Sequence, residues 1–221
     1  MKTSVADFVR SRLGHQPNDT SLFERALTHS SVGKDSYERL EFLGDRVLGL
    51  VIARWLYERF ATEPEGSLSK RYNALVARET CAAVGAELGL AALIRLGKQA
   101  REDGANYSDN VVGDVVEALI GALVLDGGLE VADAFVRRAW SDYVEGQGKV
   151  PQHPKSALQE MAAARGLPNP EYSVVGRSGA HHAPCFTVRV AMKSGEEATA
   201  EGSSKQEAET AAASALLGRL K

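Results

Sequence analysis

The sequence predicts a multidomain protein, with an all-α domain over residues 1–144, a linker over 145–153 and a small α+β domain over 154–221. Three observations support this division. Apolar residues follow a helical period as far as Tyr143, and the stretch EGQGKVPQHP then has the Gly, Pro and polar makeup of a linker. Beyond it the pattern changes to the order αβββα.

The composition is that of a globular chain whose apolar content of 44% is enough for a core. The net charge of −3 hides a split, because residues 1–147 carry 17 basic and 22 acidic side chains, whereas residues 148–221 carry 9 and 7. No run reaches the roughly 18 apolar residues of a membrane span, and no secretory apolar stretch opens the chain. We therefore expect a cytoplasmic protein without a membrane partner. Cys81 and Cys185 are expected to be reduced and packed as small apolar groups.

The first two helices are predicted at Ser4–Leu13 and Ser21–Ala26, where the letters NDT offer caps for the second. His29 follows in the sequence THS. A lone histidine without a nucleophile or an orienting acid at a telling spacing is more often a hydrogen-bonded structural residue than a catalyst.

A central helix is predicted at Tyr37–Phe60, with Ser36 as a candidate cap. Its apolar side chains cover one broad face and much of the rest: Leu40, Leu43, Val47, Leu50 and Val51 on the first, and Phe42, Leu48, Ile52 and Leu56 elsewhere. Such a helix should be buried. Three acids, Glu38, Glu41 and Asp45, project from it within about 60° of one another. Because buried like charges repel and lose solvation, they call for a compensating cation such as a hard metal ion.

Another amphipathic helix is predicted at Leu68–Leu88, ending near Gly89. Glu65 just before it is either an acid that favours a helix start or an outer metal contact. The polar stretch Gly97–Asn106 is predicted to be a loop.

The second informative stretch is Ser108–Asp126, a helix that is again apolar nearly all round. Its polar groups lie on one line, within about 60° of each other, and Gly113 and Gly121 share that face. These polar groups are Asn110, Asp114 and Glu117. Small residues beside acids let another helix approach closely, and the obvious partner is the central helix.

A closing helix at Val131–Tyr143 completes the helical part. In the small domain, helices are predicted at Lys155–Ala164 and Ser204–Leu220, and strands at Glu171–Val175, Cys185–Met192 and Glu197–Glu201.

Four or five carboxylates converging from two buried helices, with no His or Cys cluster, form an oxygen-only site. Such ligands select Mg²⁺ or Mn²⁺ over zinc or copper, and two such ions can activate water and stabilise a leaving oxygen in phosphate ester hydrolysis. The alternative is that the acids form buried ion pairs with Arg39, Arg46, Arg54 or Lys70, although the desolvation cost of such pairs can exceed their attraction.

In the small domain, Gly202, Ser203, Ser204 and Lys205 begin a helix whose free amide groups and dipole suit a phosphate. This pattern has low specificity by itself, since many helices start with Ser and Lys. The letters GAHHAP at residues 179–184 predict a loop between two strands, and a hydrogen-bonding role for its histidines is favoured over metal ligation.

These motifs resemble the ribonuclease III family. ERLEFLGD at Glu38–Asp45 is similar to the family signature, and NVVGDVVEALIG at Asn110–Gly121 to its second acidic motif, with ALTHSS and EGSLSK in the expected order. Beyond the linker, PKSALQEMAAARG, HHAPCFTVRV and EGSSKQEAETAAA resemble the three segments of a double-stranded RNA-binding domain. The resemblance covers nearly the whole chain.

The resemblance implies an endonuclease that binds double-stranded RNA as a symmetric homodimer and cuts one strand per active site. In the family, matching acids bind Mg²⁺ and organise the attacking water; here they are Glu41, Asp45, Asp114 and Glu117. Glu38 and Glu65 match supporting acids, and Phe42 lies in the helix that pairs across the dimer. The implied products carry 5′-phosphate and 3′-hydroxyl ends with short 3′ overhangs, the usual substrates are ribosomal RNA precursors, and no nucleotide cofactor is expected.

The implied binding domain reads the shape of A-form RNA through ribose hydroxyls and phosphates, with weak sequence preference. The matching positions are Gln159, Glu160, His182, Ser203, Ser204 and Lys205. Two departures stand out. Arg46 replaces a small residue and, projecting about 100° from Asp45, is expected to affect packing or dimer contacts more than metal binding. Gln206 and Glu209 stand where lysines are common, so phosphate affinity should be modest and salt dependent.

Two other functions fit part of the pattern. A regulatory protein could bind duplex RNA without cutting it, and a hydrolase of small phosphate esters could use the acids while its tail serves another interaction. Cleavage of an RNA duplex with Mg²⁺ separates the nuclease from both.

Overall fold

A computed structural model describes residues 4–180 and 183–220, and the chain divides into two compact units, Met1–Pro151 and Gln152–Lys221. Among the described residues, the first unit contains helices, and the second contains an antiparallel three-stranded sheet and two helices. The predicted fold class is confirmed.

The first unit is organised around two long helices, α3 and α7. Its helices are α1 (Val5–Phe8), α2 (Thr20–Ala26), α3 (Glu38–Arg59), α4 (Glu65–Leu75), α5 (Arg78–Leu88), α6 (Lys98–Glu102), α7 (Asp109–Gly127), α8 (Leu129–Ala139) and α9 (Ser141–Glu145). Single turns of π- or 3-10 helix lie at Val9–Leu13, Leu90–Ala92 and Ala105–Tyr107. As predicted, Asp19 caps α2 by accepting the Ser21 amide, and Gly89 ends α5 in the left-handed region.

Helix α7 forms the centre of this unit. It has 11 of its 19 residues buried, because apolar side chains surround it on nearly every side, and α2, α3, α5 and α8 pack against it. Trp140 follows the C-terminal end of α8 and belongs to the same core. Its side chain is fully buried, and its Nε1 donates to the carbonyl oxygen of Leu75 at 2.8 Å. Burial of this apolar surface is the main stabilising term for the unit.

The prediction that α3 is buried all round is wrong on one face. Phe42 is 65% exposed and Leu50 is 57% exposed, although Leu48 and Ile52 are fully buried. No element of the described chain covers this face. The predicted cap is also different: Tyr37 occupies the N-cap position, and the hydroxyl of Ser36 donates to the Glu38 carboxylate at 3.2 Å.

The predicted helix Leu68–Leu88 is two helices, because the chain leaves the helical conformation at Ala77, whose ψ is 147°. The hydroxyl of Thr80 satisfies the end of α4 by donating to the carbonyl oxygen of Ala74 at 2.7 Å. The helix predicted at Val131–Tyr143 is likewise interrupted at Trp140. The polar stretch predicted as a loop contains the short helix α6.

A buried arginine fixes the end of the first unit. Arg71 is 2% exposed, and its guanidinium donates to both carboxylate oxygens of Glu63 at 2.8 and 2.6 Å. It also stacks 3.9 Å from the ring centroid of Phe60 and donates to the carbonyl oxygen of Gln147 at 2.5 Å. The buried charge is thus paired and hydrogen-bonded, as burial requires, and the chain is anchored as far as Gln147.

The second unit has the predicted element order. Its elements are α10 (Pro154–Ala164), β1 (Glu171–Ala180), β2 (Ala183–Ala191), β3 (Glu197–Gly202) and α11 (Lys205–Leu220), with strand order β1-β2-β3. Helix α11 packs on β2 and β3 and against α10. Small alanines on α11 let it lie close to a core built from Leu158, Val190, Met192 and Leu216.

The first two strands extend further than the sequence indicates. β1 continues through an irregularity in register between Val174 and Gly176 to Ala180, and β2 begins at Ala183, so most of the loop predicted at residues 179–184 is strand. His181 and His182 lie outside the described residues.

Candidate functional site

The acids of α3 and α7 come together where two glycines let the helices touch. A Cβ atom on Gly44 would lie 1.7 Å from the carbonyl oxygen of Glu117, and one on Gly121 would lie 2.2 Å from that of Leu40. Because no side chain fits at either position, the backbones are in contact there. The close approach expected at Gly121 is present, and Gly44 supplies its other half. Gly113 instead faces α5.

The acids of the two helices act on one another's ionisation. Burial, and then the charges of Asp45, Glu41 and Asp114, together raise the pKa of Glu117 to about 7. Burial and then Asp114, Glu38 and Asp45 raise the pKa of Glu41. Burial also raises the pKa of Asp114, against the opposing effect of a hydrogen bond from Tyr37. The four acids therefore form one electrostatically coupled cluster, in which burial and mutual repulsion outweigh the opposing effect of nearby cations on Glu41, Asp114 and Glu117.

This cluster suits a hard divalent cation held partly through water. In the described part of the chain, no three His, Cys, Asp or Glu side chains stand close enough together to enclose a metal ion. Mg²⁺, however, keeps several of its waters and is usually bound by only one or two carboxylates. The donors are carboxylate oxygens, and the raised pKa values of Glu41, Asp114 and Glu117 show that positive charge would be favourable here. The residues thus fit Mg²⁺ or Mn²⁺, and do not form a closed zinc-type cage.

Arg46 approaches the cluster more closely than expected. Its Nη1 donates to Asp45 Oδ2 at 2.6 Å, while its Cζ lies 4.3 Å from the ring centroid of Phe42. The expectation that Arg46 would turn away from Asp45 is wrong, because a long arginine side chain can fold back along the helix surface whatever the direction of its Cβ. The alternative of acid–arginine pairing is therefore realised at Asp45, as an exposed pair.

The two supporting acids lie in different surroundings. Glu38 is exposed, accepts a hydrogen bond from Ser36 and raises the pKa of Glu41. Glu65 is the first residue of α4, is exposed, and accepts from the hydroxyl of Ser69 at 2.6 Å. The hydrogen bond of Glu65 is that of an acid at a helix start, whereas Glu38 belongs electrostatically to the cluster.

Sequence reasoning missed two neighbours of Asp114. The buried hydroxyl of Tyr37 donates to Asp114 Oδ2 at 3.1 Å. His29 packs edge-on against the Tyr37 ring, with centroids 5.7 Å apart. No periodic pattern marks either residue. The only signals in the sequence are that Tyr37 directly precedes the acidic motif and that His29 lies in the letters THS.

A thiol also borders the cluster. Cys81 is fully buried, and its Sγ lies 4.0 Å from Glu117 Oε1. Burial, with Glu117, Asp45 and Asp114, raises the pKa of the thiol to about 12. Both cysteines are free thiols, as predicted, and Cys81 stays protonated at neutral pH.

At the helix start predicted to bind phosphate, a carboxylate of the same chain accepts hydrogen bonds from Ser203. The Glu207 carboxylate accepts from both the amide and the hydroxyl of Ser203, at 2.8 and 2.5 Å, and the Glu207 amide donates to Ser204 Oγ at 3.2 Å. These contacts resemble a capping box, except that the Glu207 carboxylate binds Ser203, the residue before the one whose hydroxyl accepts from the Glu207 amide. The structure therefore brings Ser203, Ser204 and Lys205 together at the start of α11, with Lys205 exposed and both serines hydrogen-bonded locally.

The other predicted RNA-binding residues lie on α10. Gln159 and Glu160 are exposed neighbours, and Glu160 accepts from Gln152 at 2.9 Å. Glu209, at a position where lysine was noted as common, pairs with Lys155 at 2.5 Å. The prediction for His182 falls outside the described residues.

No helix in the described ranges of the chain is both long enough and apolar enough to cross a bilayer.

Family models match both units. Residues 19–143 match a ribonuclease-III-like domain, and residues 154–220 match a double-stranded RNA binding motif. Relatives named ribonuclease 3 include one from Zymomonas mobilis, 56% identical over 95% of this chain and 85% of its own. Another, from Rhodobacter capsulatus, is 47% identical over 95% of this chain and 93% of its own.

Solved structures agree for the helical unit. Two structures of the nuclease domain of Campylobacter jejuni ribonuclease III match it with TM-scores of 0.59 and identities of 36% and 35%. They cover 60% and 66% of this chain and 94% and 96% of their own. With a matching model over more than half of its length and curated relatives aligned along nearly all of it, the chain belongs to the ribonuclease III family.

Proposed function

We propose that the protein is a Mg²⁺-dependent endoribonuclease that hydrolyses both strands of duplex RNA and leaves 5′-phosphate and 3′-hydroxyl ends with short 3′ overhangs. Membership of the family, together with the RNA-binding motif, supports the coarser activity of a double-stranded RNA endoribonuclease. The observation that carries the metal-dependent chemistry is the coupled cluster of acids from α3 and α7, whose pKa values are raised by burial and mutual repulsion.

In this proposal, Glu41, Asp45, Asp114 and Glu117 hold the cation, with Mn²⁺ able to replace Mg²⁺. A divalent ion bound there supplies positive charge for the phosphate and lowers the pKa of the attacking water. Glu117 is the most perturbed of the carboxyls, and its raised pKa means that its negative charge would gain most from a nearby cation. Glu38 and Glu65 are assigned supporting roles near the substrate or the dimer interface.

A homodimer is the proposed assembly. Phe42, Arg46, Leu50 and Tyr57 fall within about 80° of one another on α3, and Phe42, Leu50 and Tyr57 are 65%, 57% and 75% exposed. Exposed apolar side chains gathered on one face are typical of an interface. A region of the related Campylobacter jejuni nuclease domain takes part in dimer formation.

The dimer is tested by light scattering on size-exclusion fractions. Phe42→Ala should shift the full chain toward monomer, and Tyr107→Ala, which removes a 77% exposed aromatic side chain from another element, should not. Dimers of unchanged stability in the Phe42 variant would contradict the assignment of this face.

The second unit is proposed to bind A-form RNA by shape, through Gln159, Glu160, His182, Ser203, Ser204 and Lys205. The support is the matched binding motif and the exposure of Lys205 at the start of α11. We retain residues 1–144, 145–153 and 154–221 as the proposed catalytic domain, linker and binding domain. Ribosomal RNA precursors and structured messenger RNAs are the proposed substrates, which places the reaction in the cytoplasm.

The decisive experiment is cleavage of a plain RNA duplex with Mg²⁺ and with a chelator. Wild type should cut only with Mg²⁺, and Glu117→Gln should lower the rate by about 10³-fold or more while leaving duplex binding intact. Glu79→Gln, an exposed acid at the start of α5, is the matched control.

One observation favours a second function, that of an RNA-binding regulator. Arg46 already pairs with Asp45, and no three ligands enclose an ion in the described residues. If saturating protein with Mg²⁺ leaves the duplex bound and intact, the regulator replaces the nuclease. Cleavage of a small phosphate diester with no cleavage of RNA would instead favour a small-ester hydrolase.

A further inference from the structure

We propose that Tyr37 is a positioning residue that holds the Asp114 carboxylate in its cation-binding orientation, and that His29 holds Tyr37 in turn. This inference rests on the proposed function, because it concerns an acid assigned to the cation. It gives a role to the ALTHSS segment, which the acid cluster itself does not use.

Tyr37 is placed to orient one oxygen of Asp114. Its hydroxyl donates to Oδ2 at 3.1 Å, and its side chain is only 4% exposed, so water does not compete freely for the bond. A hydrogen bond to Oδ2 restricts rotation of the carboxylate and leaves Oδ1 available to accept a bond from another group. An oriented ligand loses less freedom when it binds an ion, which is the usual effect of an outer partner on a metal ligand.

The backbone around Tyr37 is held from both sides. Its amide donates to the carbonyl oxygen of Thr28 at 2.9 Å, and its own carbonyl accepts from the amides of Leu40 and Glu41 at 2.8 and 2.9 Å. Tyr37 therefore joins the ALTHSS segment to the first turn of α3. A displacement of that segment would move the hydroxyl away from Asp114.

The ring of His29 provides a second support. It contacts the Tyr37 ring edge-on, at an interplanar angle of 65°, which is a favourable aromatic arrangement. The amide of Ser31 donates to His29 Nδ1 at 3.0 Å, and Ser31 Oγ lies 2.8 Å from the same nitrogen. Because Nδ1 accepts a hydrogen bond, the neutral ring carries its proton on Nε2.

The segment that carries His29 is itself fixed to the body of the unit. The His29 amide donates to the carbonyl oxygen of Arg95 at 3.0 Å, and the Arg95 amide donates to that of Leu27 at 2.7 Å. Ser31 Oγ accepts from the Gly97 amide at 2.9 Å. The chain from Arg95 to Gly97 thus supports His29, which supports Tyr37, which orients Asp114.

The variant that tests the inference is Tyr37→Phe, which keeps the ring and removes only the donor. The control is Tyr143→Phe, because Tyr143 also donates to a carboxylate, Glu87 Oε1 at 2.7 Å, on a different part of the unit. Two quantities are measured on the full-length chain: its Mg²⁺ affinity without RNA, by calorimetry, and the Mg²⁺ concentration that gives half-maximal cleavage of a plain RNA duplex.

Tyr37→Phe should weaken Mg²⁺ binding and raise the half-maximal Mg²⁺ concentration by about three- to tenfold, the range expected for the net contribution of one ordinary hydrogen bond. Cleavage at saturating Mg²⁺ should stay within about twofold of wild type, because the ion, once bound, orients the carboxylate itself. Tyr143→Phe should change neither quantity, even if it lowers thermal stability as much.

The His29 step is tested by a double-mutant cycle. His29→Ala should shift the Mg²⁺ dependence in the same direction by a smaller factor, and His29→Phe, which keeps a ring against Tyr37, should restore most of it. The double variant Tyr37→Phe/His29→Ala should match Tyr37→Phe, since two residues acting through one hydrogen bond are not additive.

Unchanged Mg²⁺ affinity and Mg²⁺ dependence in Tyr37→Phe would overturn the inference. So would a shift of equal size in Tyr143→Phe. The proposed function fails separately, when wild type itself does not cut duplex RNA with Mg²⁺, and the affinity measurement still decides the role of Tyr37 in that case.

Discussion

The two sites proposed to meet RNA solve opposite electrostatic problems. At the crossing of α3 and α7, like charges are forced together beside the core, and Glu117 has its pKa raised to about 7. At the start of α11, the available donors of Ser203 are satisfied by Glu207 of the same chain. A cation would relieve the repulsion at the first site, whereas at the second the donors of Ser203 already have a partner.

The two sites differ in the electrostatic free energy that a bound ligand could recover. The acid cluster costs folding free energy that a bound cation would return. The start of α11 has no such repulsion, because Glu207 already accepts from Ser203. A phosphate of RNA would have to replace these contacts or bind exposed cations such as Lys205. Single substitutions should therefore have large effects on stability and metal binding at the first site, and small effects on RNA binding at the second.

The largest effect is expected from Gly44→Ala. The new methyl group would lie 1.7 Å from the Glu117 carbonyl oxygen, with two further backbone atoms within 3 Å. Separating the helices should destabilise the first unit by about 3 kcal/mol or more and abolish Mg²⁺-dependent cleavage. Urea unfolding of both variants checks this against Gly66→Ala, since Gly66 has open space around its Cβ position. Equal stabilities would show that the helices do not need this contact.

The next effect concerns pH. The pKa of Glu117 is raised in the folded state from 4.5 to about 7, so the folded chain binds more protons than the unfolded chain between these values. Without metal, stability should therefore fall as pH rises from about 4.5 through 7, by about 1–2 kcal/mol from this group once its partial exposure is discounted.

Urea unfolding with a chelator at pH 5 and pH 8 measures this loss. Glu117→Gln should remove most of it and be the more stable protein at pH 8, and added Mg²⁺ should restore wild type only. Parallel pH profiles for the two proteins would refute the claim that Glu117 carries an unfavourable charge.

A smaller effect is expected at the start of α11. Lys205→Ala should weaken duplex binding about three- to tenfold for all sequences and reduce the salt dependence by about one unit of slope. Titration at several salt concentrations, with Lys193→Ala on the exposed turn before β3 as control, measures both. A loss confined to one RNA sequence would contradict recognition by shape.

The smallest effect is expected from Arg46→Ala. Arg46 and Asp45 form an exposed pair, which contributes little, so removing it should raise Mg²⁺ affinity only about two- to fivefold. Calorimetry against Arg59→Ala, an arginine that also lies over a phenylalanine but away from the acids, isolates this competition. Weaker Mg²⁺ binding in the Arg46 variant would show that the guanidinium assists the ion.

Much of this arrangement could be predicted from the sequence because helical periodicity is a property of the chain itself. The spacing of Glu38, Glu41 and Asp45 on one helix, and of Asp114 and Glu117 on the other, predicted that carboxylates would converge, and the family resemblance implied which four bind the cation. Helix ends were harder to predict: at the break at Ala77 the Thr80 hydroxyl donates to the carbonyl oxygen of Ala74, a contact that no apolar pattern encodes.

Other features depend on tertiary contacts that a one-dimensional pattern lacks. Leu50 looks like a core residue by period but faces outward on a side that the described chain leaves uncovered. Arg46 reaches Asp45 through rotation about its own side-chain bonds. Tyr37 meets Asp114 across 77 residues of sequence, which only the folded arrangement can bring about.

Each unit contains one cysteine, so the labelling rate of that thiol reports on the opening of its own unit. Cys81 has no exposed surface in the first unit, and Cys185 is partly exposed in the second. A thiol reagent can therefore reach Cys81 only when α5 and α7 part, and its labelling rate in the native protein reads the frequency of that opening. Since Cys81 lies beside Glu117, a cation in the acid cluster should slow the labelling of Cys81 and leave that of Cys185 unchanged. One labelling experiment therefore separates tightening around the acid cluster from tightening of the whole molecule.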